Sequence, residues 1–357
     1  MAQNRTNITE KMLQSTPEGN FVLSPLGVWA TLLISSYSIP EAMALINADE
    51  DKRAELFDKL SRTVEFCSDH EEISISNFAW ANDKNLLPTY PNDTTADTRY
   101  PMPSKKDADA LIAELTKGII TEHPSDLTDP LIFTNVLSVF MEWTKPFKTY
   151  SNTELDYWMV KDILSGSGTQ GVDGEVKYVQ DEDGHYFGVF SKKSIHNTIV
   201  SSVVSLDGEV RKESALRIAN QISRGKANLI PLLRNDAQIP QTDNFRTKMM
   251  ITESPSYSIQ IPAWEMRTSL DLGQSFELPP DLALVQESYA KYQVKGFEAV
   301  AVTAMMTRAA MIMEKQLYTW LDFDKPFASA VHTPEGPLKG MPLFIAWTEE
   351  GVEPEED

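Results

Sequence analysis

Gly166-Ser-Gly168-Thr-Gln-Gly171 matches the G-x-G-x-x-G spacing that seats a dinucleotide pyrophosphate on a helix N-terminus. That chemistry needs the motif to open a helix. The residues that follow, VDGEVKYVQDEDG, are hairpin-like instead, so the motif reads as a turn and no nucleotide cofactor is expected. Asp181-Glu-Asp183-Gly-His185 collects carboxylates but lacks the spaced ligand set of a calcium loop, and it too reads as a hairpin turn. The five histidines, His70, His123, His185, His196 and His332, contain no HExxH-type pair, so no zinc or other metal site is expected. Ser167 lacks the full G-x-S-x-G elbow of a hydrolase nucleophile. Cys67 is the single cysteine, which excludes an intrachain disulfide. It has no neighbouring Cys–His motif and reads as a buried, inert thiol. These residues specify no catalytic constellation, and no enzyme is expected.

The 357 residues are 41% hydrophobic, enough for a large core. The net charge of −20 argues against a nucleic-acid partner, which needs clustered Lys and Arg. No run approaches the length of a membrane span. The N-terminal MAQNRTNITEKMLQ lacks the apolar core of a secretory signal, so a cytoplasmic location is expected, with an extracellular one left open. Glu349–Asp357, EEGVEPEED, reads as a solvated acidic tail.

Helices dominate the first third. Ser24 is a suitable N-cap and Pro25 suits the first helical position, with apolar residues on all sides behind them. Residues 106–120 predict an amphipathic helix with Ala110, Leu111, Ala113, Leu115 and Ile119 inward and Gly118 near its end. Residues 131–143, LIFTNVLSVFMEW, predict a central strand covered on both faces. From 155 to 210, short alternating segments are separated by hairpin signals at SGSG, VDGE, DEDGH and LDGE. Residues 258–272 alternate again, and 327–347 predict two strands around a Pro/Gly turn. The pattern is that of one α+β domain.

Five of these stretches resemble one family, in order. NFVLSPLGVWATLL at residue 20 resembles an early helix of the serpins, protease inhibitors that trap their target by conformational change. ELTKGIITEHPSDLTDPLIFTNVLSVFMEWTKPF resembles their helix–strand segment, with Asn135, Trp143, Pro146 and Phe147 at the family's spacing. IQIPAWEMRTSLDL, VQESYAKYQVKGFEAVAVTA, and the FDKPF and MPLFIAW stretches resemble later strands and the hinge before the reactive loop. The chain thus resembles a divergent, bacterial-type serpin. The resemblance implies a single domain over 1–357, with three β-sheets, about eight or nine helices and an exposed reactive loop at about 294–320. It also implies a metastable protein whose loop inserts as a new strand once cut.

Val294, Gly296, Phe297, Glu298, Ala299, Ala301 and Thr303 then become the hinge. On insertion alternate side chains face the core, so Phe297, Ala299, Ala301 and Thr303 would go in together. Two residues depart from the family: Val294 stands where inhibitory members carry Glu, and Phe297 where they carry a small Thr or Ser. The family's spacing, counted from Val294, places the scissile bond between Ala310 and Met311; Arg308 is the alternative recognition residue. Ser24 and Asn135 match the family's shutter beneath the main sheet, while Gly27 replaces a serine there and Gln286 a histidine. The implied function is a monomeric suicide inhibitor of a serine (or cysteine) protease. The alternative is a serpin without inhibitory activity that acts as a binding or chaperone-like protein.

Overall fold

The computed structural model describes residues 8–92, 94–151, 162–169, 174–231, 242, 245–252, 256–279, 282–297 and 314–352. α1 (Ile8–Leu13) leads into β1 (Phe21–Leu23) and α2 (Pro25–Ser35). α2 starts as its sequence predicts: the Ser24 hydroxyl accepts from the Gly27 amide, and Pro25 takes the first turn, where no N–H is needed. It is buried on nearly every side. α3 (Pro40–Leu45) and α4 (Glu50–Ser68) follow. Asp49 caps α4 on the Lys52 amide, and Phe57, Leu60, Thr63 and Cys67 form its buried stripe.

β2 (Ile73–Ala81) and β3 (Asp97–Arg99) precede α5 (Lys105–Leu115). This helix starts earlier than expected and faces differently. Ser104 caps it, Ala108 and Ile112 are its buried residues, and Ala110 is exposed. The chain leaves the helix through Lys117 and Gly118, both left-handed at φ 52° and 83°. Those two residues end the helix before Ile119.

β4 (Leu131–Val139) alternates buried with half-buried residues, and a break at Phe140 separates it from β5 (Met141–Glu142). β6 (Lys148–Ser151), β7 (Asp162–Thr169), β8 (Gly174–Gln180), β9 (Tyr186–Lys193) and β10 (Ile199–Ser205) carry the middle of the chain. The turn at Asp181–His185 joins β8 to β9, as expected. Two other turn readings fail. Gly166 and Gly168 lie inside β7, paired with Ile259 and Tyr257, because the β13 ladder continues past Ser165, where pairing with β6 ends, and carries the strand through its glycines. Leu206–Glu209 leads from β10 not to a strand but to α6 (Lys212–Ser223).

β11 (Ile230–Pro231), β12 (Phe245–Thr252), β13 (Ser256–Pro262), β14 (Trp264–Asp271), β15 (Val285–Tyr292), β16 (Gly296–Phe297), β17 (Glu314–Asp322), β18 (Phe327–His332) and β19 (Phe344–Thr348) complete the strands. The alternating stretch 258–272 is two strands rather than one. It breaks at Ala263, after a proline that cannot donate to a ladder, and β13 and β14 go to different sheets.

Strands run β1-β19-β18-β10-β9-β8-β11 in the largest sheet and β12-β17-β13-β7-β6 in the next. Three short ladders remain: β3-β2-β4, β14-β15 and β16-β5. Among the described residues, five sheets and six α-helices therefore stand where three sheets and about eight or nine helices were expected. The α+β class holds. Two physical differences account for the numbers. Among the described residues β4 and β15 are outer strands that do not pair with each other, which splits one sheet. Short segments such as Lys84–Leu86 close only a single 3₁₀ turn. No helix among the described residues is long and apolar enough to cross a membrane.

Candidate functional site

β4 is fully paired with β2 on one side, from Ile73 opposite Val139 to Ala81 opposite Leu131. β15 is likewise paired with β14 over its whole length. The other edges of β4 and β15 face a cavity of about 540 Å3. Its walls are the two strands, its floor is the start of α2, and residues 119–130 after α5 also border it. An unpaired edge presents N–H and C=O groups that a further strand can satisfy. Here two such edges, nine and eight residues long, border one space.

One end of this gap is closed. The Trp143 amide donates to the Lys295 carbonyl (3.0 Å), the Phe147 amide to Val294 (2.8 Å), and the Trp143 indole N–H to Gln293 (3.1 Å). Trp143 also packs on Tyr292, which stacks on Trp264. The C-terminal ends of β4 and β15 thus meet, so the two strands run in the same direction. A strand folding back from that end would be antiparallel to both.

The four residues singled out as a shutter come together at the floor of the gap. The Ser24 hydroxyl donates to the Leu343 carbonyl (2.9 Å) while capping α2. Gln286, on β15, accepts from the Ser24 amide through Oε1 and donates to the Ser24 carbonyl through Nε2. Asn135, on β4, turns the other way: its Nδ2 donates to Asn77 Oδ1, and Asn77 donates on to the Thr95 carbonyl, each at 2.9 Å. A Cβ on Gly27 would lie 3.0 Å from Asn135 Oδ1 and 3.1 Å from the Ser24 hydroxyl, which is tight for any side chain. None of these four residues bonds across the gap from β4 to β15.

Of the residues read as a hinge from the sequence, Val294, Gly296 and Phe297 are among those described. Val294 is half-buried against the core. Gly296 pairs with Glu142 and Phe297 with Met141. Gly296 is buried, and a Cβ there would run into the Met141 carbonyl oxygen. Close approach of two backbones, rather than freedom of φ, is what requires glycine at this position. Glu298, Ala299, Ala301, Thr303, Arg308, Ala310 and Met311 lie outside the described residues. On the far side β17 begins at Glu314, earlier than the boundary near 320, and pairs with β12 and β13.

His123 is a cavity-lining residue with no signal in the sequence. Its Nε2 meets the Thr134 hydroxyl at 2.8 Å and its Nδ1 accepts from the Ser125 amide, while burial lowers its pKa. The other sequence candidates gather no chemistry. Cys67 is buried and its thiol is pushed up to about 12 by desolvation, so it stays protonated. Asp181, Asp183 and His185 converge, but Asp181 is occupied by the amides of Asp183 and His185, the internal bonds of a turn.

No protein-family model and no curated sequence matches this chain. Solved structures do match. The native thermophilic serpin tengpin aligns over 97% of this chain and 93% of its own, at 13% identity and a TM-score of 0.64. A serpin from Schistosoma mansoni aligns over 98% and 100%, also at 13% and 0.64. The fold is that of the serpins. Human thyroxine-binding globulin with its thyroxine aligns over 98% of each chain at 13% identity and a TM-score of 0.65. The three stand at one level of identity, so the likeness to serpins does not single out a bacterial member.

Proposed function

We propose that this chain is a serpin-type inhibitor that traps a serine, or cysteine, protease by cleavage and insertion of the segment following Phe297. One observation carries the reading: among the described residues β4 and β15 each pair with a strand on one side only, their other edges face a common cavity, and Gly296 and Phe297 are paired with β5 at its closed end. A segment entering there gains ladder bonds on both sides. At roughly 1 kcal/mol each, a dozen residues could gain on the order of 10 kcal/mol. The cut would fall at Ala310–Met311, or at Arg308 in the alternative register, and the protein would act as a monomer without enzymatic activity of its own. Incubation with elastase-, subtilisin- and trypsin-like proteases tests it: a covalent complex that survives SDS is expected from at least one. Clean cleavage by all three with no complex would sink the inhibitory reading.

A second reading is a serpin that binds rather than inhibits. Phe297, at a position where inhibitory members carry a small residue, favours it by hindering entry into the gap. The cavity itself would then be the binding space.

A further inference from the structure

The strand that receives the hinge is anchored from behind by a buried carboxylate. The Ile195 amide donates to the Glu142 carbonyl (2.9 Å), and Glu142 is the residue opposite Gly296. Ile195 belongs to the turn between β9 and β10, whose Ser194 forms a bridge with Trp143. The Ser194 hydroxyl accepts from the Thr198 amide (3.0 Å) and donates to Glu72 Oε2 (2.7 Å). Glu72 also takes the Phe140 amide on its own carbonyl (2.8 Å), one residue before β5. Glu72 is 4% exposed, and its second carboxylate oxygen has no hydrogen-bond partner.

His70 holds the other side of Glu72. Its Nδ1 accepts the Glu72 amide at 3.2 Å. A ring nitrogen that accepts a hydrogen bond cannot also carry a proton, so this arrangement requires neutral His70 with its proton on Nε2. Protonation at Nδ1 would set two N–H groups against each other. It would also place a cation beside a carboxylate with a free oxygen.

We propose that His70, Glu72 and Ser194 form a proton-sensitive anchor for the strand that receives the hinge, so that mild acid frees Gly296 from Glu142. Acid removes the acceptor of the Glu72 amide. The Glu72 carboxylate then turns from Ser194 toward imidazolium, and the turn carrying Ile195 loses its hold on β5. The groups facing His70 are the Phe66 ring from α4, Glu71 and Glu72 beside it, and His196 from the β9–β10 turn. Glu71 in turn lies 3.3 Å from His196 Nε2. The direction of the His70 titration agrees. Burial, the largest cause, holds its pKa below the usual value; Glu72 and Glu71 pull it back, and His196 adds to the lowering. A lowered histidine pKa means that the neutral, anchored state is complete above the unfolded value and is lost as pH falls through the folded one.

The physiological meaning rests on reading Gly296–Phe297 as a hinge; the anchor itself does not. Hydrogen exchange of the intact chain at a series of pH values from 7.5 down to 5, corrected for intrinsic rates, tests it over residues 140–146 and 290–297. Protection in the native chain should fall roughly fivefold to tenfold in acid, the equivalent of one lost hydrogen bond. His70→Asn places an oxygen acceptor near Nδ1 that cannot be protonated, and should show no such step. Ser194→Ala should exchange quickly at every pH of the series. An acid step retained in His70→Asn or in Ser194→Ala, or no step in the native chain, overturns the proposal. If the step appears as expected but cleavage never leads to insertion, the anchor stands and the inhibitory reading falls.

Discussion

Gln286 grips the backbone of Ser24 from both sides, its Oε1 accepting the Ser24 amide and its Nε2 donating to the Ser24 carbonyl, each at 2.9 Å. This ties β15 to the cap of α2 rather than to β4. Gln286→Leu removes two hydrogen bonds and strands the Ser24 amide, while the Ser24 carbonyl keeps the Val28 amide. A loss of about 2–4 kcal/mol is expected in urea unfolding. Asn135→Ala should leave the Ser24 grip intact, and exchange of the Ser24 amide should rise in the first variant and not in the second.

Gly296 and Met141 are so close that no side chain fits between them. Gly296→Ala should break the pairing of β16 with β5. The effect on global stability should be modest, roughly 1–3 kcal/mol, since only two residue pairs are involved. Amide exchange at Met141 and Glu142 should rise while the Ser24 region is unchanged. Normal protection at Met141 in that variant would contradict the assigned contact.

Cleavage between residues 305 and 311 offers a separate test of insertion. A new strand between β4 and β15 would satisfy both open edges and bury apolar side chains. The cleaved protein should melt well above the intact one in calorimetry. Equal melting temperatures would favour the binding reading. Phe297→Thr should then lower the number of inhibitor molecules consumed per protease inactivated, because a smaller hinge residue enters a packed sheet with less strain.

Asp322 supplies a pH test that is independent of the gap. Burial raises its pKa from 3.8 to about 6, against the opposing pull of Arg246 at 3.6 Å, with Asp324 adding to the rise. The folded state therefore holds this proton more tightly than the unfolded chain. Its contribution is favourable below pH 3.8 and turns into a penalty as pH rises through about 6. A shift of this size corresponds to about 3 kcal/mol. Asp322→Asn should thus gain stability relative to the native chain between pH 4 and pH 7, up to that amount. Denaturant curves at the two pH values measure it, and a stability difference that does not move with pH would refute the assignment.

Some of this architecture was written in local sequence. The Ser24–Pro25 start of α2 needs only the cap hydroxyl and a residue without an N–H, and both are adjacent in the chain. The two strands around the Pro/Gly turn at 333–342, and the turn at Asp181–His185, are also local. The order of short motifs along the chain sufficed to point to the fold, even though no sequence relative matched. Even Ser24, Gly27, Asn135 and Gln286, up to 262 positions apart, were drawn to one place by that order.

What those residues do there was decided only by the tertiary structure. Gln286 could have bonded to Asn135; instead it met a backbone, and Asn135 met Asn77. Gly166 and Gly168 read as a turn because glycine weakens strands, yet the distant strand β13 held them in one. Ala110 faces solvent because Ala108 and Ile112 are the residues that pack against Phe78, Trp80 and Val136 of β2 and β4. Gly296 is glycine because of Met141, 155 positions away. The physical reason is common to all four. Caps, turns and periodicity are interactions among near neighbours and leave a pattern in the chain. The choice of strand partner, and above all which edge is left without one, is a competition among distant segments that leaves no local pattern.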